Sequence, residues 1–180
     1  MEQKTVLIVE DDAIVAIHLR NMLAALGYSV SGPVATGEAA IAAVAAERPD
    51  LILMDIKLAG EMDGIAAVRS ILAIADVPVV FLTSYAQNSL IQQAKATLPY
   101  GYLLKPVSQQ ELAVTIEIAL SRHMLDRHLK AQEEALQKAN DELEQRVQDR
   151  TVDLLSINER LRREIEEHGR TEVSLHESKE

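Results

Sequence analysis

The 180-residue chain has no cysteine and no tryptophan, one phenylalanine and four tyrosines. Without cysteine there is no disulfide, no thiol nucleophile and no cysteine-ligated zinc or iron–sulfur site. Basic residues are outnumbered, 18 Lys+Arg against 28 Asp+Glu, for a formal net charge of −10. That balance argues against a general nucleic-acid binder. No apolar run approaches the roughly 18 residues that a membrane helix needs. Near the N-terminus, Asp11 and Asp12 come too early for a signal peptide. A cytoplasmic location is therefore expected. The hydrophobic share of 48% is ample for a core.

The absences also divide the chain. All five prolines (33, 49, 78, 99 and 106), all five aromatics and six of the seven glycines lie before residue 110. Residues 121–180 hold 11 Lys+Arg and 15 Asp+Glu instead. A segment of that charge density without aromatics cannot build its own globular core. It is a solvated helix, a coiled coil or disordered. The expected organisation is a domain over 1–120 and a coiled-coil helix over 121–180.

The first part alternates strand and helix. Thr5–Val9 is a short β-branched run. Ala13–Leu26 carries apolar residues at helical spacing and stops at Gly27. Strands are expected over Tyr28–Val34, Leu51–Met54, Val77–Leu82 and Tyr102–Leu104. Helices are expected over Gly37–Glu47, Ile65–Ala75 and Asn88–Thr97. Ser108-x-x-Glu111 is a capping box opening one more helix. Leu51–Met54 is apolar throughout, as in a strand buried on both faces. Such alternation in about 120 residues implies a doubly wound parallel sheet with right-handed crossovers.

Polar residues follow the apolar runs directly. Glu10, Asp11 and Asp12 follow the first strand, Asp55 the third, Thr83 and Ser84 the fourth, and Lys105 the fifth. In an open α/β sheet the carboxyl ends of the strands form the binding crevice. Clustered carboxylates demand a cation, and oxygen ligands without Cys or His suit Mg²⁺ or Mn²⁺. One carboxylate left partly free is a candidate nucleophile. A hydroxyl and an ammonium then hold the oxygens of a phosphoryl group. The pattern points to phosphoryl transfer to Asp55. Taken singly, each element has a plainer explanation: Asp11–Asp12 and Thr83 as helix caps, Lys105 as a surface charge. Their joint placement is what carries the chemistry.

These residues resemble the receiver domain of two-component response regulators. VLIVEDD, DLILMDIKL, MDG, PVVFLTS and YLLKPV occur in order over residues 4–120. The resemblance implies a flavodoxin-like (βα)5 sheet of order 2-1-3-4-5 followed here by a long helix. It implies that Asp55 is the phospho-acceptor. Asp11, Asp12 and Asp55, with the backbone carbonyl of Lys57, are then the Mg²⁺ ligands. Lys105 would pair with the phosphoryl group, across a cis bond to Pro106. Thr83 and Tyr102 resemble the switch pair: Thr83 moves towards the phosphoryl group and Tyr102 turns inward into the space vacated. The implied donor is a histidine kinase. The loop Leu58–Gly64 is longer than is common in that family and lacks its usual proline near Ala59.

In the tail, apolar residues recur with 4/3 spacing. Leu129, Leu136, Leu143 and Ile157 share one heptad position, and Val147, Leu154 and Leu161 the other. Asn140 falls on the second position, where a buried Asn favours one register and a parallel homodimer. Ile165 departs from the pattern as a stutter would. The text LEQRVQDRTVDLLSINERLRREIEEHGRTEVSLHESKE resembles connector helices of sensor kinases and cyclases, where such text marks the approach to a PAS domain. No DNA binding is expected. His18, His123, His128, His168 and His176 fit solvated helix positions better than phosphorelay histidines. Alternative readings are the receiver and coiled coil of an RNA-binding antiterminator, or the N-terminal fragment of a larger sensor histidine kinase or cyclase.

Overall fold

In the computed structural model of the chain, the described residues are 3–84 and 97–177, with side chains described as far as residue 166. Five strands form one parallel sheet: β1 Thr5–Val9, β2 Ser29–Val34, β3 Leu51–Asp55, β4 Val79–Thr83 and β5 Gly101–Leu104. Their spatial order is β2-β1-β3-β4-β5. The described helices are α1 Ala13–Ala25, α2 Gly37–Ala46, α3 Gly64–Leu72 and α4 Gln109–Glu177. The helix expected over 88–97 lies, apart from Thr97, outside the described residues.

The strand sequences explain this order. β3 and β4 are buried at every residue, as continuous apolar runs covered on both faces must be. Leu7, Ile52, Met54, Val79 and Phe81 face one core with Val44, Val68 and Ile71. Val6, Ile8, Leu53, Val80 and Leu82 face the other with Leu19, Leu23, Leu112 and Ile116. β4 begins at Val79 rather than Val77, because Pro78 has no amide to donate. Its carbonyl still accepts from Ile52 at 3.0 Å. β2, at the sheet edge, tolerates Pro33. Gly32 before it has φ +86°, and a Cβ there would lie 2.9 Å from the Ile8 carbonyl oxygen.

The capping box forms. Ser108 Oγ donates to Glu111 Oε2 at 2.7 Å, and the Glu111 amide donates to Ser108 Oγ at 3.3 Å. The hydrogen bonds hold the Glu111 carboxyl below its ordinary range. The chain divides into two compact units, residues 1–127 and 128–180. The first unit extends past residue 120 because the start of α4 still packs within it. Ala119 is fully buried, and His123 pairs with Asp76 at 3.5 Å. His123 is thus a buried residue rather than a solvated one, and burial holds its imidazole below the usual value. In the second unit every described residue is exposed. Among the described residues no helix is long and apolar enough to cross a membrane.

Candidate phosphoryl site

The site lies at the carboxyl ends of β1, β3, β4 and β5. Sheet pairing brings them level: Asp55 is opposite Leu82, and the Lys105 amide donates to the Thr83 carbonyl at 2.8 Å. A cleft of about 470 Å³ opens there, lined by Glu10, Asp11, Asp12, Asp55, Lys57, Ser84 and Lys105 among others. Asp55 is 6% exposed at the end of β3. Its Oδ1 accepts from the Lys57 amide at 3.0 Å, and its Oδ2 meets Lys105 Nζ at 2.5 Å. The same ammonium meets Glu10 Oε2 at 2.5 Å. Glu10 is 3% exposed, and its Oε1 accepts from the Asp12 amide at 3.3 Å.

Lys105 therefore bridges two buried carboxylates. Burial pushes Glu10 above its ordinary value, and the Lys105 hydrogen bond only partly opposes this. Burial would lower Lys105, but the hydrogen bonds to Asp55 and Glu10 outweigh it, and its pKa stands raised. The lysine stays charged in the cleft at neutral pH.

Glu10, Asp11 and Asp55 each place one carboxylate oxygen within 4.8 Å of the others. Three oxygens of this kind fit a hard divalent cation. Asp12 is not one of them. Its Oδ1 accepts from the amides of Ile14 and Val15, at 2.8 and 3.2 Å, and caps α1. Asp12 was expected beside Asp11 as a ligand; here it caps α1, and Glu10 is the third carboxylate of the cluster. The signal was available: an Asp immediately before a helical run is the N-cap position.

Thr83 is 3% exposed, and its hydroxyl donates to the Ser84 carbonyl at 3.3 Å. The Tyr102 ring lies on Phe81, centroids 6.0 Å apart, with its hydroxyl oxygen shielded from solvent. Burial raises the Tyr102 pKa. The Tyr102 side chain is inward in this structure. The Lys105–Pro106 bond is cis, and a second cis bond joins Gly32 and Pro33. Gly64 was not singled out as a site residue, yet it bears on the site. A Cβ there would fall 1.9 Å from the Asp55 carbonyl oxygen. Only glycine lets α3 start against the strand that carries Asp55.

Fold and site define a doubly wound α/β signalling domain with an acidic cleft at its topological switch point. The chain belongs to the response regulator receiver domain family, whose profile matches residues 6–117. Over 119 residues it is 36% identical to the transcriptional regulatory protein PdtaR of Mycobacterium tuberculosis, covering 66% of this chain and 58% of PdtaR. The chain thus spans less than two thirds of that relative. The N-terminal domain of a response regulator/sensory box/GGDEF three-domain protein from Carboxydothermus hydrogenoformans is 38% identical. It matches with a TM-score of 0.64 over 69% of this chain and 100% of that one. The receiver domain of a sensor histidine kinase from Pseudomonas aeruginosa PAO1, solved with magnesium coordinated in its active-site cleft, is 31% identical. Its TM-score is 0.61, over 67% of this chain and 99% of that one.

Proposed function

We propose that Asp55 accepts a phosphoryl group from the phosphohistidine of a histidine kinase. The observation that carries the reading is one carboxylate, buried at a strand end, held on both oxygens and facing an open acidic cleft. An Asp55 oxygen attacks phosphorus, the phosphorus–nitrogen bond breaks, and the electron pair leaves with the imidazole. An acyl phosphate results. Asp11, Asp55, Glu10 and the Lys57 carbonyl are the groups that would hold Mg²⁺, which when bound neutralises carboxylate and phosphoryl charge. Lys105 would exchange its pairing with Asp55 for one with the phosphoryl oxygens. Thr83 is the hydroxyl within the same strand end, and Tyr102 its switch partner. Asp12 serves the site indirectly by holding the start of α1.

The change is passed through α4 to a parallel homodimeric coiled coil over Leu129–Leu161, in the cytoplasm. The support is α4 itself, one helix in which Leu129, Leu136, Leu143, Val147, Leu154, Ile157 and Leu161 are all exposed in a single chain. A second reading is that receiver and helix form the input end of a longer kinase or cyclase. The three-domain Carboxydothermus protein, whose N-terminal domain matches this chain, favours it.

The test is intact mass after incubation with Mg²⁺ and acetyl phosphate, beside Asp55→Asn. One phosphoryl adduct in the wild type alone is expected. An adduct of equal yield in Asp55→Asn would refute the assignment.

A further inference from the structure

An unbroken heptad running back from Leu129 would put Ala119, Arg122 and Asp126 in the dimer seam. The structure has already committed those positions. Ala119 is fully buried in the receiver core. The Arg122 guanidinium lies 5.6 Å over the Tyr100 ring. Burial pushes the Tyr100 phenol up to about 12, and the hydrogen bond its hydroxyl donates to the Asp126 carboxylate adds to this. The neighbouring positions Ile118 and Leu125 are each 57% exposed.

A different period accommodates both facts. Ile118, Leu136 and Leu154 are each eighteen residues apart. So are Leu125, Leu143 and Leu161, and so are Leu129, Val147 and Ile165. All nine are between 48% and 71% exposed. Eighteen residues make five turns at about 3.6 residues per turn, so positions so related fall on one line of an α-helix. A strict heptad drifts and must supercoil to the left, whereas a period of about 3.6 keeps the stripe straight. The same repeat absorbs Ile165, which the heptad leaves out.

We infer that the seam joining two copies of this chain enters the receiver at Leu125 and Ile118. It follows an eighteen-residue repeat with nearly straight helices. This rests on the dimer reading above and changes its register, leaving Ile157 outside the seam. The occupant is a second copy for two reasons. The stripe is bordered by charges of both signs along 121–166, so only an apolar stripe of like spacing covers it. Nine half-exposed aliphatic side chains per helix give on the order of 1,000 Å² of apolar surface in a pair. With the stems of flanking Lys, Arg and Gln this reaches the roughly 1,200–2,000 Å² of a stable interface. A slip of eighteen residues is the competing register, and it forfeits a third of the stripe.

The chain has no cysteine of its own, so single-cysteine variants of the full chain report directly on the seam. The set is Ile118, Leu125, Asp126, Leu136, Leu154, Glu164 and Ile165, each changed to Cys and mildly oxidised. Disulfide dimers are expected at Leu136 and Leu154 and equally at Ile118, Leu125 and Ile165. Leu125→Cys should crosslink about fivefold more than Asp126→Cys, and Ile165→Cys more than Glu164→Cys, because a bridge needs Cα atoms within about 7 Å. Crosslinks at Leu136 and Leu154 with Asp126 and Glu164 favoured would overturn the repeat while leaving the dimer standing. No crosslink at Leu136 or Leu154 would overturn the parallel dimer and the repeat with it. Mixing Leu125→Cys with Leu143→Cys tests the slip, and a heterodimer preferred over both homodimers would refute in-register pairing.

Discussion

Replacing Lys105 by Met removes the one ammonium between two buried carboxylates, Glu10 at 3% and Asp55 at 6% exposure. The methionine keeps the length of the stem, so the change is largely electrostatic. Glu10, Asp11 and Asp55 then face one another with oxygens within 4.8 Å. Two unit charges at that distance repel by about 3.5 kcal/mol at an effective dielectric constant of about 20. Deleting one partner of a buried pair costs a similar amount, about 3–5 kcal/mol. A loss of about 3 kcal/mol at pH 7.5 is expected.

The sign with pH follows. Glu10 already stands above its ordinary carboxylate value, and losing the ammonium, which opposes that rise, raises it further. A carboxyl with a raised folded-state pKa binds its proton more tightly when folded, so stability falls as pH rises through the shifted value. The variant should therefore recover part of its loss as pH falls from 7.5 to 5 and Glu10 takes up its proton. Urea unfolding followed by tyrosine fluorescence is the assay, at one protein concentration. Every aromatic residue lies before residue 110, so the signal reports the receiver alone. Mg²⁺ should stabilise the variant more than the wild type, since it replaces a missing positive charge. An equal loss at pH 5 and pH 7.5 would show that the damage is steric and would refute the reasoning.

Asp12→Ala should cost about 1 kcal/mol, the usual value of an N-cap, and should leave the stabilisation by Mg²⁺ intact. Asp11→Ala should instead abolish that stabilisation, which Mg²⁺ titrations of urea midpoints will show. Gly64→Ala drives a methyl group into the Asp55 carbonyl, so a loss of roughly 1–3 kcal/mol or more is expected, together with a reduced acetyl phosphate adduct by intact mass. Tyr100 should ionise at about pH 12, and Tyr100→Phe should remove that step from an ultraviolet alkaline titration. Because its folded-state value is raised, Tyr100 contributes stability that is lost as pH climbs from about 10 towards 12.

The order of the elements and most of the site were legible in the sequence because both rest on local patterns. A continuous apolar run such as Leu51–Met54 has one stable place, the middle of a parallel sheet, and the residue after it must then face the crevice. That reasoning reached Asp55 and Lys105 and placed Thr83 beside them. The capping box at Ser108 and Glu111 was equally local. The tail was legible from composition, since a segment with 26 charges in 60 positions leaves its few aliphatic residues no core to enter.

The sequence offered Asp12 as an N-cap but could not by itself say which of the neighbouring acids pairs with Lys105. Glu10, Asp11 and Asp12 are chemically alike, and which one pairs with Lys105 depends on the twist of β1 and the entry angle of α1. The tertiary structure sent Glu10 inward, left Asp11 at the mouth and spent Asp12 on two helix amides. It also placed the Tyr102 ring on Phe81 and buried His123 against Asp76, contacts between residues distant in the chain. The same holds for the start of the seam, where Tyr100 claims Arg122 and Asp126 and leaves Leu125 facing outward. Periodicity along one helix says which residues share a face. Only packing against other elements decides which face is left over.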